Sequence, residues 1–291
     1  MASVRDIRRQ IASIKNISKM TDALQTVSGV KFRKAEAAVK RSRPYAENFG
    51  EMMQAVAASS GSKNPLLAGR DEVNAVAVAT LTSDRGLCGA FNAQVIRRTM
   101  DFRRRQSVPV RQVVSGRKGI AFFRFRRIEL DEAFSGFTDS PGFENAQEIG
   151  QTLTGLFESG EVDEVYLVYN RFQSALVQRP VLMRLLPAAP EEEEESEDGD
   201  EGPGTPFEFV PDADVILGKL IPRYVETQVF QALLESAAGE HGARMTAMKN
   251  ATDNANELVE TLTLQMNKAR QAQITREISE IAAGAEALTA G

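Results

Sequence analysis

From Met245 to Ala269 the chain reads MTAMKNATDNANELVETLTLQMNKA. Met245, Met248, Thr252, Ala255, Val259, Leu262, Met266 and Ala269 recur at steps that alternate between three and four. A helix with that repeat carries its less polar side chains along one narrow seam and buries them against a second helix, as in a coiled coil. The seam continues one residue out of phase through Ile274, Ile278, Ile281, Ala285 and Leu288. Upstream, Pro211 and Asp212 supply a stop and an N-cap, while Pro222 kinks the helix or delays its start. One helix is therefore predicted from Asp212 to about Leu288, on the order of 110 Å long.

That seam needs a partner, and the other end of the chain supplies one. Ser3 followed by Asp6 resembles a capping box. Val4, Ile7, Ile11, Ile14, Ile17, Met20, Leu24, Val27 and Val30 follow at steps of three and four, with Arg5, Arg8, Arg9, Lys15 and Lys19 over much of the remaining surface. Pro44 should kink this helix, which is predicted from Ser3 to about Ala58 and spans roughly 80 Å. The chain between the two helices returns, so they pair antiparallel. The C-terminal helix is the longer, and its end, Ile274 to Gly291, should project. A bare apolar tip is an aggregation hazard unless another protein encloses it.

Between the helices the period changes. Gly61 to Gly69 reads as a loop around Pro65. Strands are predicted at Val73–Leu81, Val108–Ser115, Ile128–Ala133, Val162–Asn170 and Val177–Leu186, the last at a sheet edge because Pro180 removes a donor. Helices are predicted at Ala90–Arg105, Arg117–Arg126 and Phe143–Glu158. This alternation implies a mostly parallel sheet covered on both faces. Ala188 to Pro206 is an acidic, low-complexity loop, and Phe207 to Val210 returns as a short strand. The fold class is α/β with a coiled coil. The divisions are an N-terminal helix over 1–58, an α/β domain over 70–210 with its acidic loop at 188–206, and a C-terminal helix over 211–291.

Composition narrows the chemistry. The chain has 291 residues, one cysteine (Cys88), one histidine (His241) and no tryptophan. An internal disulfide, a multi-cysteine zinc site and a two-histidine metal site are excluded. No apolar run approaches a membrane span, and the charged N-terminus has no secretory h-region. The net charge of −5 misleads, because nine acids stand between Pro187 and Pro206 without a Lys or Arg. Without them the remainder carries +4, and eleven Lys/Arg face three acids before Tyr45. The chain is mildly basic and carries an acidic loop.

Thr82 to Asn92, TSDRGLCGAFN, follows the first strand and opens a helix. Such a loop could cradle a phosphate at a helix start. It lacks both the dinucleotide fingerprint and the Gly-Lys-Ser/Thr of a P-loop. The other reading is a tight turn in which Asp84 and Arg85 satisfy loop backbone or a neighbouring subunit. Cys88 reads as a small buried side chain, since no base stands near it in sequence. Arg117, Lys118, Arg124, Arg126 and Arg127 with Phe122, Phe123 and Phe125 carry the composition of a nucleic-acid patch. An amphipathic helix with its aromatics on the sheet explains them better, and no nucleic acid is expected. His241, beside Gly239 and Gly242, is expected in solvent. Arg244, Arg270, Gln271 and Thr275 stand near the seam as polar groups.

Three stretches together resemble the gamma subunit of F-type ATP synthases, the central rotor shaft, over essentially the whole length. They are Ile11–Ala35 with Ser42-Arg43-Pro44-Tyr45-Ala46-Glu47, the run Ser83-Asp84-Arg85-Gly86-Leu87-Cys88-Gly89, and Arg244–Asn254 leading to Asn267–Thr275. The resemblance implies a Rossmann-like central domain that binds no cofactor, bracketed by an antiparallel coiled coil. It implies a non-catalytic subunit that couples proton flow to ATP synthesis or hydrolysis by rotation. Implied partners are the alpha and beta subunits of the head, the epsilon subunit and the membrane c-ring. The implied location is peripheral, on the cytoplasmic face of a bacterial inner membrane. Head contacts carried over are Lys19, Leu24, Lys31, Arg33, Arg244, Arg270, Gln271, Thr275, Ile278, Ile281 and Leu288. Ser83, Asp84, Arg85, Gly86, Cys88 and Gly89 form the central motif. Arg223, Tyr224 and Glu226 mark the foot near ring and epsilon. The acidic loop is longer and more charged than the family minimum and reads as a solvated surface insertion; the alternative is that it docks a small basic regulatory or inhibitory subunit. A single cysteine excludes the thiol switch of the chloroplast form. Two other classes compete: a passive coiled-coil scaffold, and a small Rossmann-like nucleotide-binding enzyme.

Overall fold

The computed structural model describes residues 3–60, 65–70, 72–188 and 213–289. The elements run α1 (Val4–Ser60), α2 (Pro65–Ala68), β1 (Val76–Leu81), α3 (Phe91–Arg105), β2 (Val110–Ser115), α4 (Arg117–Phe125), β3 (Glu132–Phe134), α5 (Phe143–Glu158), β4 (Glu164–Phe172), β5 (Gln178–Leu186) and α6 (Ala213–Thr289). Pro44 lies inside α1 and Pro222 inside α6, and neither ends its helix. The loop expected over 61–69 contains one helical turn, Pro65–Ala68, because proline at the first helical position gives up no bonded amide. The acidic run Glu191–Glu201, the strand expected at Phe207–Val210 and the pair Pro211–Asp212 lie outside the described residues. The chain divides into two compact units, Met1–Ser28 with Met245–Gly291, and Gly29–Arg244.

The unit Gly29–Arg244 is built on a five-stranded sheet in the order β3-β2-β1-β4-β5. All pairings are parallel except β5, which runs antiparallel to β4 at the edge, with Pro180 opposite Asn170. Every residue of β1 is buried, which accounts for its VAVATL sequence: a central parallel strand has no polar face to show. Alternate side chains sort to the two faces. Ala77, Ala79, Leu81 and Leu167 pack with Ile149 and Leu153 of α5 and Ile221 and Val225 of α6. Val76, Val78 and Val168 meet Val95 and Phe102 of α3 on the other face. Phe32 and Val39 of α1 pack with Phe172, Leu234 and Ala238.

β3 begins four residues later than expected. Arg127 takes a positive φ of 56° and the Ile128 amide donates to Phe123, so the chain closes α4 before it extends. The aromatics of α4 do not all face the sheet: Phe123 is buried and Phe125 is 84% exposed.

In the other unit α1 and α6 run antiparallel. The Ser18 hydroxyl donates to Asn256 at 2.8 Å, and the Thr21 and Thr252 hydroxyls meet at 2.6 Å. The α6 seam is as expected, with Met248 and Ala255 buried and Met245, Thr252, Val259, Leu262, Met266 and Ala269 half-buried. The α1 seam departs from expectation. After Ile7, Ile11 and Ile14 the less exposed line passes to Ser18, Thr21 and Ser28. Ile17, Met20 and Val27 are 44, 58 and 53% exposed, and Val30 is exposed in the second unit. The aliphatic series takes consecutive three-residue steps from Ile11 to Met20 and so leaves the seam by one position, about 100° around the helix. Small hydroxyl residues keep the phase. α1 therefore carries two lines: a buried one that turns polar after Ile14, and an aliphatic one that faces outward.

From Arg270 to Ala285 every side chain is exposed, with Ile274, Ile278 and Ile281 at 47, 61 and 73%. The register set by Ser18–Asn256 carries Val4, the first residue of α1, opposite Arg270. Beyond that point α1 offers α6 nothing to pack on.

Candidate functional site

β1 ends at the position where the strand order reverses, with β2 on one side and β4 on the other. In open α/β sheets this is the crevice where ligands meet helix N-termini. The loop Thr82–Gly89 occupies it. Asp84 offers one carboxylate oxygen to the Arg117 amide at 3.1 Å. Its other oxygen accepts from the Gly136 amide (2.8 Å), the Thr138 amide (3.3 Å) and the Thr138 hydroxyl (3.1 Å). The next two amides of α4 are also taken, Lys118 by the Ser83 carbonyl and Gly119 by the Thr82 hydroxyl. A carboxylate of the chain itself sits where a helix start would hold an external anion. The loop itself opens α3, whose N-cap Ala90 makes no side-chain capping bond, so the position filled by Asp84 is the start of α4 and not the helix start on which the phosphate reading rests.

The approach is tight enough to dictate residue type. Gly116 has φ 97°, and a Cβ there would lie 2.1 Å from the Thr82 carbonyl oxygen, so only glycine fits. Asn92 reaches back from α3 to accept from the Ser83 amide and donate to the Ser83 hydroxyl. Cys88 is buried against Ser83 and Asn92, and burial pushes its thiol pKa up, away from a reactive thiolate. At the apex Leu87 takes φ 61°, unusual for a side chain of its size, and points to solvent together with Arg85.

α6 clamps this loop. Arg244 is buried and donates to the Gly86 carbonyl through Nε and Nη2, at 3.2 and 3.1 Å. The same Nη2 donates to Glu240 at 2.6 Å. Burial drives the Glu240 pKa up to about 7 against the opposing pull of Arg244. His241 is buried too, contrary to expectation, because this stretch of α6 is enclosed on nearly every side. Burial lowers its pKa and favours the neutral ring. Nε2 meets the Asp139 carbonyl at 3.0 Å and therefore carries the proton, and Nδ1 finds no partner among the described residues. Burial alone would raise the Asp139 pKa; the bond to Lys31, together with the positive charges of Lys31 and Arg85 and the nearby His241, outweighs it and holds the carboxyl low.

Other expected residues fall elsewhere. Arg223 pairs with Glu226 at 3.1 Å and stacks over Phe143 at 4.2 Å, and Tyr224 packs near Phe49. Arg33 is exposed, whereas Lys31 is committed to Asp139. In the helix-pair unit Lys19, Arg270, Gln271, Thr275, Ile278 and Ile281 are exposed and Leu24 is half-buried. Of Leu288 only the backbone is described. Arg244 is thus joined to the central motif, while Arg270, Gln271 and Thr275 belong to the bare end of α6.

Several polar groups were not anticipated. Glu235 accepts from Arg43 (3.1 Å), Gln231 (3.0 Å) and the Phe172 amide (3.0 Å). Asp163 accepts from Arg70 and from the Asn74 and Ala75 amides. The Glu240–Arg244 spacing of four was a usable signal; the long-range partners of Asp84, Asp139, Asp163 and Glu235 left none. Among the described residues no helix is long and apolar enough to cross a membrane.

The family profile described as ATP synthase matches residues 3–288. The ATP synthase gamma chain of Rubrobacter xylanophilus is 72% identical over 293 residues, covering all of both chains. That of Pelotomaculum thermopropionicum is 47% identical, covering 99% of this chain and 100% of its own. Among solved structures, a chain of the Euglena gracilis mitochondrial ATP synthase in rotational state 3 superposes with a TM-score of 0.70 at 18% identity, covering 99% of this chain and 95% of that one. The last likeness speaks to fold alone: two terminal helices around a central α/β sheet.

Proposed function

We infer the function from one premise: the chain belongs to the ATP synthase gamma-chain family. It acts as the central-stalk rotor subunit of an F-type ATP synthase. It couples transmembrane proton flow to ATP synthesis or hydrolysis at the alpha–beta head by rotating within it. The chain itself is not catalytic. Segments 1–58 and 211–291 serve as the shaft helices and 70–210 as the Rossmann-like domain. Its partners are alpha, beta, epsilon and the c-ring, and it is peripheral on the cytoplasmic face of a bacterial inner membrane.

The observation that carries this reading is the bare end of α6, whose isoleucines are left in water over Arg270–Ala285. Apolar contact is non-directional and suits a tip that turns inside a sleeve. Lys19, Arg270, Gln271 and Thr275 offer the directional, angle-dependent contacts that torque transfer needs. An asymmetric shaft presents each beta subunit with a different surface and so shifts its open–closed equilibrium. The competing enzyme reading needs a phosphate-binding fingerprint, and the loop Thr82–Gly89 carries neither the dinucleotide glycine pattern nor a Gly-Lys-Ser/Thr. The test mixes the purified chain with alpha–beta from the same cell. Co-elution and a marked rise in Mg-ATP hydrolysis are expected; no association between folded components would sink the reading.

A further inference from the structure

We propose that the groove between α3 and α4 docks an acidic amphipathic helix of a partner protein. α3 already buries one stripe, Val95 and Phe102 among it, in its own core. On its opposite side Ile96 and Met100, with Phe122 of α4, floor a groove of about 470 Å³. A helix that has satisfied its core and still shows a second apolar stripe has a face left to cover. Arg97, Lys118 and Arg126 stand around that floor. Among the described residues none of the three forms an ion pair; the one acid at the rim, Asp101, is held by Arg104 at 3.3 Å. Phe125, next to Arg126, is 84% exposed.

The shape and charge define the occupant. A trough between two helices fits a third laid along it, with anchors at helical spacing. The ring of unpaired cations selects carboxylates on the flanks of that helix and repels a basic one. A nucleic acid would need a polar path for its phosphates and would leave the apolar floor uncovered. The inference goes beyond the proposed function and does not depend on it.

The test is fluorescence anisotropy with the full-length chain and a designed, labelled helix of about 18 residues, five turns long. It carries a leucine stripe flanked by glutamates, and its twin carries lysines instead. The acidic helix should bind at least ~10-fold tighter than the twin. Arg97→Ala/Arg126→Ala and, separately, Met100→Glu should each weaken it ~10-fold with no change in melting temperature, and Arg97→Lys/Arg126→Lys should retain most binding. Equal binding of the twin, or undiminished binding by both groove variants, overturns the proposal. So does an oligonucleotide that binds through Arg97 and Arg126 where the peptide does not. If only a variant lacking Glu191–Glu201 takes up the peptide, the chain's own acidic run serves the groove and the partner assignment falls.

Discussion

Asp84→Ala removes the carboxylate that takes four donors at the β1–α3 turn. Hydrogen bonds to a charged acceptor are worth ~1.5–3 kcal/mol each when buried, and less where water can replace the acceptor, as at this half-exposed side chain. A negative charge at a helix start adds about 0.5 kcal/mol. Together the loss should be ~3–4 kcal/mol, or roughly 10 °C in melting temperature for a unit of this size. The vacated amides then form an anion site. At 100 mM sulfate and a dissociation constant of about 10 mM, binding would return ~1.4 kcal/mol, or roughly 4 °C. Sulfate stabilises folded proteins generally, so the quantity to measure is its effect on the variant minus its effect on the wild type. Asp101→Ala is the control, because among the described residues Asp101 pairs with exposed Arg104 alone and should stay within ~0.5 kcal/mol. A loss below ~1 kcal/mol for Asp84→Ala, or the same sulfate gain in variant and wild type, would refute the reasoning.

Arg244→Ala should cost ~2–4 kcal/mol in denaturant unfolding, since it removes the buried guanidinium that donates to the Gly86 carbonyl and to Glu240. Arg270→Ala should stay within ~0.5 kcal/mol yet lower proton-coupled turnover of the assembled enzyme; unchanged turnover would remove Arg270 from the contact set. The folded pKa of Glu240, about 7, lies above its ordinary 4.5. Its contribution to stability is therefore complete below pH 4.5 and is lost as pH rises through 7, at up to ~1.4 kcal/mol per pH unit. Urea unfolding across that window should show this slope in the wild type and not in Glu240→Gln; parallel curves would exclude it, and the opposite drift from neutral His241 cancels in the comparison. Ile278→Asp/Ile281→Asp should leave the melting temperature of the isolated chain unchanged and abolish co-elution with alpha–beta; a lowered melting temperature would mean that the isoleucines pack within the chain.

The fold was legible where pattern alone determines structure. Heptad spacing marked the α6 seam, and VAVATL could only be a strand covered on both faces. The α1 seam departs from the hydrophobic pattern after Ile14 because hydrophobicity there does not mark burial. Thr21 and Ser28 are buried because helical phase puts them there, and their hydroxyls bond backbone carbonyls one turn back, which removes the penalty of enclosure. His241 was misplaced for a related reason: nothing in its neighbours says that α6 is enclosed on all sides near Ala237 and Ala238. The loop at Ser83–Gly89 was recognisable as a motif, but its purpose was not. Asp84 meets donors from Arg117, Gly136 and Thr138, distances in sequence that no local pattern links.

The hydroxyl pairs of the α1–α6 seam have a mechanical consequence. Two helices joined only by aliphatic side chains can slide by one heptad and find nearly equivalent packing, because apolar contact has no preferred partner. Here a seven-residue slip would set Thr21 against Val259 or Met245 in place of Thr252, and Ser18 would lose Asn256. Each hydroxyl pair given up costs about 0.5–1.5 kcal/mol, and a single polar position is known to hold a coiled coil in one alignment. The seam therefore acts as a spline: it fixes the axial position of one helix on the other, so that a twist applied to either is carried by both.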